Sequence, residues 1–81
     1  MTNDPERALL QSLSDSAPYL VPEYTLFTET CNRLTRALTY DAFRDLLLRA
    51  KEKRRADSQS SEDGLRWGIT PDGLFRLRQM P

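Results

Sequence analysis

The stretch "EDGLRWGITPDGLFRLR", residues 62 to 78, constrains this chain more than any other. Leu65, Trp67 and Ile69 alternate with Arg66 and Gly68, the period of a half-buried strand with Trp67 turned towards a core. Gly64 ahead of them supplies the permissive backbone of a turn. Behind them Thr70 caps, Pro71 takes the first helical position and Asp72 meets the positive end of a helix dipole. A strand is therefore pinned between a turn and a helix start. A closing helix follows over about residues 71–79, with Leu74, Phe75 and Leu77 expected to face inward.

The upstream chain reads as three helices and a first strand. The first helix spans about residues 4–15, because Asn3 or Asp4 suits the N-cap, Pro5 the first helical position and Glu6 the dipole. Its apolar stripe is Leu9, Leu10 and Leu13, and it frays at "SDSAP", where Pro18 blocks continuation. Leu20, Val21, Tyr24, Phe27, Cys31, Leu34 and Leu38 recur at steps of three and four, one face of a second helix over about 22–35 opened by Pro22. The third helix covers about 39–53, with Thr39 as N-cap, Asp41 in the first turn and Phe43, Leu46, Leu47 and Ala50 as its buried stripe. Residues from Arg54 to Ser60 lack a Gly cap and fit helix, loop or a polar first strand; a hairpin over about 54–69 turns through "SSEDG". Tyr24, Phe27, Tyr40, Phe43, Trp67 and Phe75 stand at core-like spacings and are expected to pack rather than stack on bases.

With 81 residues the chain is expected to be one domain spanning 1–81, and a domain this small buries only roughly 60% of its unfolded surface, so dimerisation would help it. The single cysteine, Cys31, has no internal disulfide partner and lies on an apolar stripe, where a small buried hydrophobe is expected rather than a nucleophile. Without histidine there is no metal-ligand spacing, and no carboxylate pairing or Gly-rich loop points to catalysis, so no enzyme activity and no cofactor are expected. The N-terminus lacks a leader pattern and no window is apolar enough for a membrane span, which reads as a cytoplasmic soluble protein.

Net charge is zero, but the charges are segregated. Residues 1–32 carry Asp4, Glu6, Asp15, Glu23 and Glu29 against Arg7 alone. The middle, 33–56, sets Arg33, Arg36, Arg44, Arg49, Lys51, Lys53, Arg54 and Arg55 against Asp41, Asp45 and Glu52. Basic character is thus concentrated around the third helix.

The order helix, helix, helix, hairpin, closing helix, with "LTRALTYDAFRDLLLRA" as turn and third helix and "GLRWGITPDGLFRL" as strand and helix start, resembles a winged helix-turn-helix domain. That family implies an α+β, mostly helical fold with a two-stranded wing. It also implies a small transcription-regulating protein that binds double-stranded DNA with its third helix in the major groove. On this resemblance Thr39, Tyr40 and Arg44 reach the groove, while Arg33, Arg36, Lys51, Lys53, Arg54 and Arg55 hold phosphates. A second reading stands beside it. At ~100° per residue the outermost line of the third helix is Asp41, Asp45, Leu48 and Glu52, whose carboxylates would meet phosphates badly. That line fits a solvated face, or a protein-interaction or homodimer surface centred on Leu48.

Overall fold

Helix α1 (Pro5–Ser16) begins at Asp4, whose carboxylate accepts from the N–H groups of Glu6 and Arg7 at 3.0 and 3.3 Å. The structure, a computed structural model, describes residues 2–80. Over these residues the chain is α+β and mostly helical: α1, β1 (Val21–Pro22), α2 (Glu23–Arg33), α3 (Tyr40–Glu52), β2 (Ala56–Ser61), β3 (Gly64–Ile69) and α4 (Pro71–Gln79). Thr39 caps α3 by accepting from Ala42, and Thr70 caps α4 by accepting from Gly73.

The sheet has three antiparallel strands in the order β1-β3-β2, not the two of a simple hairpin. Val21 pairs with Trp67 and Pro22 with Arg66, so Val21 belongs to a strand rather than to the stripe of α2. Pro22 lies outside the helix as its N-cap residue, and α2 opens at Glu23. The face that α2 buries is correspondingly different: Leu26 and Thr30 are its buried positions, and Tyr24 is 71% exposed. Leu34 and Leu38 follow the helix, and Leu34 sits in a parallel bridge with Thr2, whose N–H donates to the Arg33 carbonyl at 2.9 Å.

One core joins the layers. Leu9 and Leu13 of α1, Val21, Leu26, and Phe43, Leu47 and Ala50 of α3 close on Ala56 and Trp67 of the sheet. Helix α4 adds little to it. Its buried residue is Gly73, whereas Leu74 and Leu77 are half-buried and Phe75, expected inward, is 62% exposed. Among the aromatic residues expected to pack, Tyr24 and Tyr40 are also exposed, flanking the half-buried Phe27. Cys31 is half-buried, its thiol donating to the Leu38 carbonyl at 3.8 Å.

Thr30 is fully buried and its hydroxyl has no hydrogen-bond partner among the described residues. Burying an unpaired hydroxyl costs free energy that a methyl group of similar shape does not incur. Thr30→Val is therefore expected to stabilise the fold by about 1 kcal/mol, raising Tm by about 4–8 °C in a thermal unfolding scan. An unchanged or lower Tm would show that the hydroxyl has a partner.

The end of α3 resolves the ambiguous "RRADSQ" stretch. Lys53 caps the helix, Arg54 turns to a φ of 60°, and β2 starts at Ala56. The Arg54 N–H donates to the Lys51 carbonyl at 3.0 Å and the Arg55 N–H to the Ala50 carbonyl at 2.8 Å, the paired bonds of a Schellman stop. Glycine ordinarily fills that left-handed position; here tertiary bonds hold an arginine in it. The Thr70 hydroxyl donates to the Arg54 carbonyl, and the Thr70 N–H to the Arg55 carbonyl at 3.2 Å. Left-handed backbone costs a residue with a Cβ roughly 1–2 kcal/mol, partly offset by the greater unfolded-state freedom of glycine. Arg54→Gly should thus stabilise the protein by about 0.5–1 kcal/mol in urea unfolding, and a loss of stability would count against this turn geometry.

Candidate functional site

The surface around α3 is organised by two carboxylates that are distant in sequence from what they hold. Glu23, at the first turn of α2, accepts from three donors. The Trp67 indole Nε1–H donates to its Oε1 at 3.1 Å, Arg44 Nη1 donates to its Oε2 at 2.9 Å, and the Tyr40 hydroxyl donates to Oε2 as well. The side chain of Glu23 is 12% exposed. Glu6, on α1, accepts from Arg76 Nε at 3.0 Å and from Arg55 Nη1, so it ties α1 to α4 and to the turn after α3.

Burial alone would raise both carboxyl groups, but their donors outweigh it. Hydrogen bonds from Arg76 and Arg55 hold Glu6 below its ordinary value of 4.5, and bonds from Tyr40, Trp67 and Arg44 do the same for Glu23. The Tyr40 hydroxyl is raised above 10.0 by its bond to Glu23, and burial adds to the shift. A carboxylate with a lowered folded-state pKa contributes stability that is complete above the unfolded value and is lost as pH falls through the folded one. Unfolding free energy is expected to fall below pH 4.5, and to fall less steeply in the Glu6→Gln, Glu23→Gln double variant, by urea titration at a series of pH values. Equal slopes would remove these two groups as the cause.

The residues expected at a DNA face are distributed as follows. Tyr40 and Arg44 point to Glu23, although Arg44 keeps 42% of its side chain exposed. Arg33 donates through Nε to the buried Ser12 hydroxyl at 2.9 Å and pairs with Asp15. Arg55 pairs with Glu6, so Arg55→Ala would disturb the fold as well as any ligand. Thr39 serves as the α3 cap. Lys51 is exposed, donates to the Ser58 hydroxyl at 2.8 Å and lies 5.9 Å from the Trp67 ring centroid, within cation–π range. Arg36, Lys53 and Arg54, with Arg49, are exposed and make no ion pair among the described residues.

Helix α3 therefore presents three lines. Phe43, Leu47 and Ala50 are buried; Tyr40, Arg44 and Lys51 are tethered on the side of α2 and the sheet; Asp41, Asp45, Leu48 and Glu52 are outermost and exposed. Leu48 is 51% exposed, and no ion pair links Asp45 to Arg49 among the described residues. Helical periodicity was sufficient to locate the outer line. The Glu6 and Glu23 clusters carry no signal in the sequence, because each joins residues brought together only by packing.

No family model, curated protein or solved structure matches this chain. The groove between α1 and the end of α2, lined by Thr2, Arg7, Ala8, Gln11, Asn32 and Arg33, holds an arginine already bonded to Ser12 and Asp15. Among the described residues no helix is long and apolar enough to cross a membrane.

Proposed function

We propose that this chain is a non-enzymatic, cytoplasmic protein-interaction or dimerisation module on a winged-helix-like scaffold, acting through the outer line of α3. The scaffold reading is supported by the order α1-β1-α2-α3-β2-β3, with α2 and α3 joined through Leu34–Thr39 and the β2-β3 hairpin following α3. One observation carries the functional reading. The outermost line of α3 exposes three carboxylates, Asp41, Asp45 and Glu52, around Leu48. Phosphate oxygens approaching that line meet like charge, whereas a half-exposed leucine ringed by charges suits a protein surface.

Direct DNA contact is the second reading, favoured by Arg36, Arg49, Lys53 and Arg54 standing exposed without carboxylate partners among the described residues. Fluorescence anisotropy against a mixed-sequence duplex at about 50 and 200 mM salt separates the two. The interaction reading expects no salt-sensitive binding. Binding that weakens steeply with salt, and is reduced further by Lys53→Ala with Arg54→Ala, would overturn it in favour of a phosphate-contacting surface.

A further inference from the structure

The charges around Leu48 are arranged by side, and the arrangement selects an occupant. At 3.6 residues per turn, Arg44 and Lys51 lie ~40° and ~60° to one side of Leu48, and Asp45 and Glu52 lie ~60° and ~40° to the other. Arg44 and Asp45 sit ~6 and ~4.5 Å before Leu48 along the axis, and Lys51 and Glu52 ~4.5 and ~6 Å beyond it. Within ~60° of Leu48 these four charges leave one flank cationic and the other anionic at matching heights; Asp41 lies ~20° from Leu48 and ~10.5 Å before it, and Arg49 lies ~100° round, beyond Asp45.

We propose that this face pairs with the same face of a second copy, the two α3 helices running parallel about a twofold axis. The inference rests on the interaction reading above and names its partner. A twofold axis parallel to the helices sets each flank against the opposite flank at the same height. Leu48 then meets the partner's Leu48, Arg44 meets the partner's Asp45, and Lys51 meets the partner's Glu52. An antiparallel pairing instead sets each flank against itself with the heights reversed, placing Arg44 against the partner's Lys51 and Asp45 against the partner's Glu52. Like charges face each other at all four contacts of that alternative, whereas the parallel pairing sets like charge against like only at Asp41, towards one end of the seam, so the sequence of α3 favours the parallel arrangement.

The side chains are available for this role. Asp45 and Glu52 are exposed; Lys51 is exposed and its single bond to the Ser58 hydroxyl leaves two ammonium protons; Arg44 uses Nη1 for Glu23 while 42% of its side chain remains in solvent. With a single half-exposed leucine per copy, the interface falls at the small end of specific contacts, and weak association is expected.

The test is sedimentation equilibrium of the full chain from about 10 µM to 1 mM, the range of weak association, with Glu52→Lys and Lys51→Glu variants. Glu52 lies in the last turn of α3, where a lysine favours the helix dipole, so Glu52→Lys should fold. Parallel pairing predicts that Glu52→Lys weakens the dimer about tenfold, and that mixing it with Lys51→Glu restores association as a heterodimer. In an antiparallel dimer the new lysine would face Asp45 and tighten association, which would overturn the proposal, as would an unchanged constant. Wild-type protein that stays monomeric to 1 mM would also overturn it. The duplex titration on the same samples distinguishes the two levels. Monomeric protein without DNA binding removes the second copy alone, whereas salt-sensitive DNA binding removes the interaction reading itself.

Discussion

Gly73→Ala is expected to destabilise the protein by about 3 kcal/mol or more, a large part of the 5–15 kcal/mol that holds a typical domain together. A Cβ at position 73 would lie 2.0 Å from the Arg55 carbonyl oxygen and 2.8 Å from Ile69 Cγ1. That oxygen cannot withdraw cheaply. The Arg55 carbonyl accepts from the Thr70 N–H, its N–H donates to the Ala50 carbonyl, and its side chain is held by Glu6. Relief therefore requires α4 to lift, which strains the Thr70 contacts and the Arg76–Glu6 pair together. Gly68→Ala is the control. Its Cβ would meet Leu20 Cδ2 at 2.6 Å, the far end of an exposed side chain that can rotate away, so a loss below about 1 kcal/mol is expected. Urea unfolding at neutral pH reads both. Equal losses would mean that the approach of α4 to the turn after α3 is looser than described.

Glu23→Ala is the second large expected effect, at about 2–3 kcal/mol. The alanine removes the acceptor of the Trp67 indole N–H on a residue that is 2% exposed, and an unpaired donor in such a place retains its full desolvation cost. It also frees Tyr40 and Arg44 from the start of α2, loosening the seam between α2, α3 and β3. Glu23→Gln keeps an oxygen for Trp67 and gives up the charge, so roughly half the loss is expected. Trp67 is the only tryptophan in the chain, and its emission provides a local readout alongside stability. A red-shifted spectrum in Glu23→Ala with native far-UV circular dichroism would place the damage at this cluster. An alanine variant as stable as wild type would reduce Glu23 to an exposed surface charge.

These two sites differ in how far they could be read in advance. Thr70, Pro71 and Asp72 mark a helix start by local chemistry, and the cap forms there. The need for glycine two residues later comes from Arg55, which no local rule links to it. Glu6 was legible as a residue favouring a helix dipole, but its partners lie 49 and 70 positions away. Glu23 likewise reaches Arg44 across 21 positions and Trp67 across 44. Strand β1 was hidden because two residues carry no period and one is a proline; its existence depends on the β3 edge beside it. Phe75 was misplaced by hydrophobicity alone, since the approach of α4 through Gly73 turns that side chain to solvent.

By itself the sequence determined the N-terminal caps of α1, α3 and α4, the β3 strand and the outer line of α3, because each depends on residues within about one or two turns of each other. Leu48 and its flanking charges belong to the same class, since a single helix fixes their spacing. Tertiary structure alone decided the third strand, the left-handed turn at Arg54 and the fate of the arginines. The physical reason is range. A cap or a stripe is complete within its own segment, whereas whether a guanidinium is free to meet a ligand or already holds Glu6, Glu23 or Asp15 depends on which distant carboxylate the core brings beside it.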